Sequence, residues 1–351
     1  MSFNIIAFAQ KIIHKKVVFP LIIIVLVFAG SLMLYSSYQE SAIMDELAHI
    51  PAGYSYLKFG DNRLNPEHPP LLKDLSAIPL LFLNLKFPTS SSYWQENVNG
   101  QWDVGRVFLY ESGNNADQII QWARIFPIIL TLLTAFLVYL LAKKLVGPYW
   151  ALLPFVLFAF SPVVLAHGHY VTTDLAAAFG SLIIFLLVIP KMMHPTAKNL
   201  ILAGIALGLA QLTKFSLLIF YPLIALLMII WEIIKLIRQK RNNETAPVIK
   251  QLLKTIGNII IVFVISVIVI YLVYLPQNIN YPQTKQTSDT EQILHSFAGG
   301  PDEELITCRQ WVGSLERQMR CLAEIDIKLT QNKITKPLAQ FMLGALMVIQ
   351  R

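Results

Sequence analysis

Asp45, Glu46 and His49 stand in "MDELAHIPAGYSY", a few residues after a long apolar run ends. Side chains four apart share a helix face, so Asp45 and His49 form an acid–imidazole pair on one side of the segment. Further along, "GDNRLNPEHPPLLKD" supplies a second such pair, Glu67 and His68, with Arg63 and Lys73 close by. The two prolines after it mark a helix start. "SPVVLAHGHYVTTDLAAAF" adds His167, His169 and Asp174, and "QLTKFS" adds Lys214. Two chemistries suit such a set. A carboxylate can act as general base toward a nucleophile, while cations meet the charge of a phosphate leaving group. Alternatively, "DELAH" has the i, i+4 spacing of a zinc-binding helix, although its first ligand is Asp and it is only a distant cousin of H-E-x-x-H. Simpler structural explanations compete with both. Acids such as Asp45 and Glu46 suit the positive end of a helix, and His167 and His169 can pack at a helix end.

The elements that must position these groups belong to a membrane. The chain has 351 residues, 55% hydrophobic and 14% charged, with mean hydropathy +0.57, whereas soluble domains carry about 25% charged residues. Residues 17–37 form an uncharged stretch long enough to cross a hydrocarbon core of about 30 Å. Similar runs at 125–142, 149–166, 172–190, 199–213, 215–234 and 256–275 bring the expected spans to seven. The run at 199–213 is short, and spans there only if a tight turn near Lys214 joins it to the next. The first run exceeds the roughly 7–15 apolar residues of a signal peptide and lacks its cleavage site, so it reads as a span. Asp174 falls inside the span at 172–190, and acids within membranes are functional candidates.

Lysine and arginine in the short loops orient such a chain. With the N-terminus cytoplasmic, the inner segments hold Lys11, Lys15, Lys16, Lys143, Lys144, Lys191, Lys198, Lys235, Arg238, Lys240, Arg241, Lys250 and Lys254, opposed by Glu232 and Glu244. The net charge of +7 is therefore a topology signal and calls for no nucleic-acid partner. The candidate groups all fall on the outer side.

Residues 38–121 form a large outer loop in which the segments after Met44 and after Pro70 read as amphipathic helices at the bilayer surface, with Ile50, Tyr54 and Leu57 dipping in. Residues 276–337 form a second, polar outer loop holding Cys308 and Cys321. A disulfide and two free thiols are both open there. "GIALG" at 204–208 is a small-xxx-small helix-packing pattern. Residues 338–351 begin a further apolar run of about 13 residues, too short to span, so it either lies at the interface or, as is favoured, the sequence is cut within an eighth span. The domain reading is thus a membrane module over 1–275, the polar loop, and that incomplete segment.

"DELAHIPAGYSYLKFGDNRLNPEHPPLLK", "SPVVLAHGHYVTTD" and "GLAQLTKFS" together resemble the GT-C class of integral-membrane glycosyltransferases, specifically the bacterial protein O-mannosyltransferase and lipid A aminoarabinose transferase superfamily. The likeness runs over about residues 17–275, with the motifs in the family's order. It implies an all-α polytopic bundle that moves a sugar from a polyprenyl-phosphate donor to an extracytoplasmic protein, lipid or glycan. The family's catalytic acid falls on Asp45, beside Glu46. Its donor-phosphate pair falls on Glu67 and His68, its later acid on Asp174 and its lysine on Lys214. Where some relatives carry lysine, this chain has His68. The implied reaction is inverting: Asp45 takes the acceptor's proton, and His68, Lys214, Arg63 and Lys73 face the departing phosphate. His49 and His169 are read as orienting groups. No cofactor is expected, and a divalent metal stays open. The implied location is the plasma membrane, with the site on its outer face. A non-catalytic membrane protein or a transporter for a lipid-linked or polar substrate is the alternative, since polar residues at span ends also fit passage. Against it, the candidates avoid the midplane and no inverted repeat is visible.

Overall fold

The computed structural model describes residues 14–242, 247–295 and 315–350. Among them the regular structure is helical throughout, as a chain must be whose backbone polar groups lie in lipid without water to pair them. α1 (Phe19–Gln39) leads through a short turn into α2 (Met44–Phe59), and α3 (Leu71–Ala77) follows. α4 (Ala116–Ala123) and α5 (Ile125–Val146) form one apolar rod, and α6 (Leu152–Ala159) and α7 (Pro162–His167) return along it. Next come α8 (Thr173–Ile183), α9 (Ala197–Gln211), α10 (Phe220–Arg241) and α11 (Val248–Gln277). α12 (Gln283–His295), α13 (Leu315–Thr330) and α14 (Lys336–Gln350) complete the described chain.

Among the described residues, five helices are long and apolar enough to cross a membrane: Lys16–Gln39, Ala116–Val146, Thr173–Met193, Phe215–Arg241 and Val248–Gln277. Outward-facing Ile24, Val27 and Ile260 suit them to hydrocarbon rather than water. Of the seven runs expected to span, 149–166 and 199–213 do not form single helices of that length. Residues 149–166 are two short helices, because Pro162 lacks the N–H that would continue the ladder across Ser161. The pair still runs the length of the bundle: Ala151 and Phe155 pack with Val18 and Tyr139 at one end, and the Gly168 carbonyl accepts from Thr131 near the other. α9 has 15 residues, or about 22 Å. It lies against α11 through Gly204 and Gly208, where an added Cβ would meet Ile265 and Val269 side chains at 2.5 and 2.7 Å. The packing role expected of "GIALG" is what the structure gives it.

Residues 38–121 also depart from the expectation. α2 and α3 are not surface helices but the interior of a packed cap. Ile50 and Tyr54 sit in a core with Leu80, Phe108, Leu109 and Ile119, and Leu57 alone of the three expected anchors is exposed. Enough aromatic and aliphatic side chains lie in the loop for it to build its own core. At Gly53 a Cβ would lie 2.1 Å from the Lys73 carbonyl, so a side chain there would drive α2 and α3 apart. α14, part of the expected incomplete segment, packs its Leu343 and Leu346 with Leu294 and Ala323. Cys321 is buried, while Cys308 lies outside the described residues, and its pairing with it.

Candidate active site

The chain enters the cap at Glu40, turns, and starts α2 at Met44. Glu46, in the first turn, is completely buried. Its Oε1 accepts from Arg124 Nε at 2.9 Å and from the Val171 N–H at 3.1 Å. Its Oε2 accepts from Arg124 Nη2 at 2.6 Å and from the Ile43 N–H at 3.0 Å. Arg124, equally buried, spends its remaining donors on the carbonyls of Ser37, Glu40 and Ser41. A guanidinium has five N–H groups, and all five are used. One ion pair thus joins the end of α1, the start of α2, the head of α5 and the strand of chain before α8. Sequence reasoning grouped Glu46 with Asp45 as catalytic, but the structure places it in this closed pair.

Asp45, the neighbouring residue, is exposed and makes no side-chain hydrogen bond or ion pair among the described residues. His49, one turn on, is buried and donates from Nδ1 to the Val171 carbonyl at 2.6 Å. Its ring meets that of His68 edge-on, with centroids 5.0 Å apart. Burial, reinforced by the nearby His68 and Lys73 cations, lowers its pKa to about 3, so the ring is neutral at pH 7. Its folded-state pKa thus lies below the ordinary 6.5. As pH falls from about 6.5 toward 3 the unfolded chain takes up a proton that the folded chain refuses, and stability falls with it. His49→Asn keeps a donor near Val171 and removes the titration. The acid-side slope of a detergent unfolding series should shrink in this variant; an unchanged slope would place the titrating group elsewhere.

The 61–68 loop is held from within. Asn65 adopts φ 51°, and its amide Nδ2 donates to Gln101 at 2.5 Å. Glu67 is buried and accepts from Gln101 Nε2 at 2.6 Å and Asn99 Nδ2 at 3.1 Å. Lys73 is buried, and its ammonium faces Tyr56 Oη, the Asn65 carbonyl, Asn65 Oδ1 and the His68 carbonyl, all at 2.8–3.0 Å. Burial, against the attraction of Glu67 and Asp74, brings it down to about 7. Arg63 grips Asp61 through Nε at 3.0 Å and Nη2 at 2.5 Å, and lies 4.2 Å over the Trp94 ring. Both cations expected at a phosphate are instead built into the scaffold of the loop.

Asp174 and Lys214 pair at 2.5 Å, with side chains 67% and 31% exposed. The charges of His68 and His167 reach Asp174. An exposed pair of this kind contributes about 0–1 kcal/mol, so a competing phosphate can recruit Lys214 at little expense. His169 is buried and bridges the Leu165 carbonyl, at 3.2 Å, and Glu40, at 2.9 Å. Burial works against the Glu40 carboxylate, but hydrogen bonds from Tyr170, His169 and Ser36 outweigh it and bring Glu40 down to about 2.

The predicted residues therefore fall into two groups. Asp45, His68, Asp174 and Lys214 stand at the accessible rim, with the exposed His167 beside them. Glu46, His49, Arg63, Glu67, Lys73 and His169 are buried beneath it. Arg124 and Glu40 went unnoticed in the sequence. A lone arginine at the head of the apolar run "IFPIIL" was the available signal for the first, and nothing in "YQES" marks the second. No group of three or more His, Cys, Asp or Glu is placed to hold a metal ion among the described residues.

No curated protein and no solved structure matches this chain. A family model described as dolichyl-phosphate-mannose-protein mannosyltransferase, however, matches residues 22–281. That match starts in α1, runs through the cap and the rim groups, and stops just beyond α11. The chain belongs to the dolichyl-phosphate-mannose-protein mannosyltransferase family and is a multi-pass membrane glycosyltransferase that draws on a polyprenyl-phosphate-linked sugar.

Proposed function

We propose that the protein transfers a sugar, with inversion, from a polyprenyl phosphate to a hydroxyl or amine of an extracytoplasmic acceptor, with Asp45 as general base. The observation that carries this reading is the state of the four acids expected at the site. Glu46, Glu67 and Asp174 have partners, whereas Asp45 is exposed and unpaired among the described residues. A base must be able to reach a proton on an incoming acceptor, and only Asp45 of these four meets that requirement without breaking an existing contact.

The donor phosphate sits against His68 and Lys214. Attack on the anomeric carbon from Asp45's side expels the phosphate on the opposite face, and the charge that develops there is met by the two cations. Arg63 and Lys73 contribute indirectly, by fixing the 61–68 loop. Glu46 and Arg124 hold Asp45 where α2 begins, and His169 holds the loop before α8.

The active site faces outward from the plasma membrane, with the N-terminus inside. Chain direction supports this. α5 begins at the site beside Arg124 and ends with Lys143 and Lys144, and α10 begins just after Lys214 and ends with Arg238, Lys240 and Arg241. α11 carries Lys250 and Lys254 near its start and reaches the cap at Gln277. The basic residues thus gather at the end away from the site, as inner loops do.

Replacing either cation tests this placement. His68→Ala and Lys214→Ala should each weaken use of the lipid-phosphate donor by the equivalent of roughly 1.5–3 kcal/mol, the worth of a charged hydrogen bond, and change acceptor affinity little. An imidazole holds phosphate best when protonated, and ordinary histidine loses that proton near pH 6.5. His68→Lys should therefore retain transfer and flatten its decline above pH 7. Normal donor binding in both alanine variants would remove the two residues from the site.

A further inference from the structure

Asp74 and Gln277 meet where the cap rests on the end of α11. Gln277 Nε2 donates to Asp74 Oδ2 at 2.5 Å. Asp74 Oδ1 and Gln277 Oε1, the other oxygens of the same two groups, are closed to solvent and have no partner. An ionised carboxylate only accepts, and an amide oxygen only accepts, so two groups already joined by one hydrogen bond each keep a buried acceptor without a donor. Exchanging the amide's N and O, which resemble each other closely, would set two oxygens 2.5 Å apart. Either orientation calls for one more hydrogen.

We propose that Asp74 is a neutral carboxylic acid whose proton closes a two-bond ring with the Gln277 carboxamide, and that this ring is the joint through which α11 positions the 65–68 loop. The Nε2–H donates to Oδ2 and the Oδ1–H to Oε1, and no buried acceptor remains unmatched. The surroundings agree. The groups that face Asp74 are Lys73 on its own helix, Tyr56 on α2, and Tyr274 with Gln277 on α11. Lys73 is the one cation among them, and its ammonium is turned to Tyr56, Asn65 and His68, not to Asp74. Burial pushes the Asp74 carboxyl well above the ordinary range, against the pull of Lys73 and the Gln277 bond. α3 carries the lysine that holds the His68 carbonyl, so fixing α3 to α11 fixes the loop. Asp74 is then a positioning residue, and its connection to transfer rests on the reading of His68 as a donor contact.

The sign of the pH effect follows. The folded chain keeps a proton that the unfolded chain releases near the ordinary carboxylate value of about 4, so stability declines as pH rises above that value toward the raised one. Asp74→Asn makes an amide–amide ring that needs no titrating proton. Asp74→Ala leaves the Gln277 amide unpaired.

The test uses the full chain in proteoliposomes and three readouts. Infrared spectra at pH 7 should contain a neutral-carboxyl C=O band in the wild type that Asp74→Asn lacks. Asp326, buried and unpartnered on α13 and raised to about 8, supplies a second band that stays in the variant as an internal control. The decline of stability with rising pH should be shallower in Asp74→Asn. Transfer from a polyprenyl-phosphate sugar should stay within about threefold in Asp74→Asn, and fall about tenfold in Asp74→Ala through a raised donor KM, as expected when a buried partner is stranded. Spectra of wild type and Asp74→Asn that do not differ in the carboxyl region would show Asp74 ionised and overturn the proposal. Equal, normal transfer by both variants would overturn the positioning role. If no form of the protein transfers sugar, the functional reading fails, while the infrared and stability readouts still decide where the proton is.

Discussion

Asp45→Asn should lower sugar transfer by about 10²–10⁴-fold at neutral pH, the usual contribution of a general base. Donor affinity should change little. The substitution conserves shape at an exposed position that has no partner to lose among the described residues, so stability should fall by no more than about 0.3–1 kcal/mol, the worth of an acid in a helix's first turn. The Asp45→Asn effect separates the rim from the layer below. Glu46→Gln would also lower activity, but by disturbing a buried ion pair, and its loss should appear in unfolding as well as in turnover. Near-normal turnover of Asp45→Asn with intact folding would pass the base role to Asp174, the other accessible acid of the set.

Removing Arg124 should produce the largest structural effect in the molecule. Arg124→Met strands the Glu46 carboxylate and the carbonyls of Ser37, Glu40 and Ser41 in the interior. Breaking a buried pair from one side costs about 3–5 kcal/mol, because a charge is left without compensation. The double variant Glu46→Leu with Arg124→Met removes the charge, and should recover part of that loss. Recovery stays incomplete, since the Val171 and Ile43 N–H groups and the three carbonyls still lack partners. Thermal unfolding of detergent-solubilised protein would measure both. Stability of Arg124→Met within about 0.5 kcal/mol of wild type, the range of an inconsequential surface change, would mean the pair has no structural role.

Much of the fold was legible from hydrophobic runs alone, because lipid imposes long apolar helices and water does not. α1 and α5 could be read almost to their ends, whereas α10 runs on to Arg241 and α11 starts at Val248, beyond the apolar runs expected at 215–234 and 256–275. The break at Pro162 was visible as a residue but not as an interruption, since composition across 149–166 is uniformly apolar. The cap was misread for a different reason. Ile50 and Tyr54 are as suited to a bilayer surface as to a protein core, and the choice depends on Leu80, Phe108 and Ile119, which lie far along the chain.

The site shows the same division. Residue type and motif order picked out Asp45, His68, Asp174 and Lys214, which the structure leaves accessible. They could not tell these from Glu67, Arg63 and Lys73, whose partners are the amides of Asn99 and Gln101, the Asp61 carboxylate, the Tyr56 hydroxyl and carbonyls of the folded cap. Arg124 was hidden most completely. Three of its five bonds go to backbone carbonyls, and a carbonyl leaves no trace in the side-chain sequence.

With Asp45 as base, the acceptor's oxygen or nitrogen attacks the anomeric carbon on the face opposite a phosphate held at His68 and Lys214, and the bond to that phosphate breaks as the new one forms. The most direct test is the anomeric configuration of the product formed in proteoliposomes from a polyprenyl-phosphate sugar of known configuration, read by NMR. Displacement in one step with Asp45 as base predicts a product of inverted configuration, formed by the wild type and nearly lost in Asp45→Asn. A product that retains the donor's configuration would exclude a single displacement from the face opposite the phosphate and would contradict this mechanism.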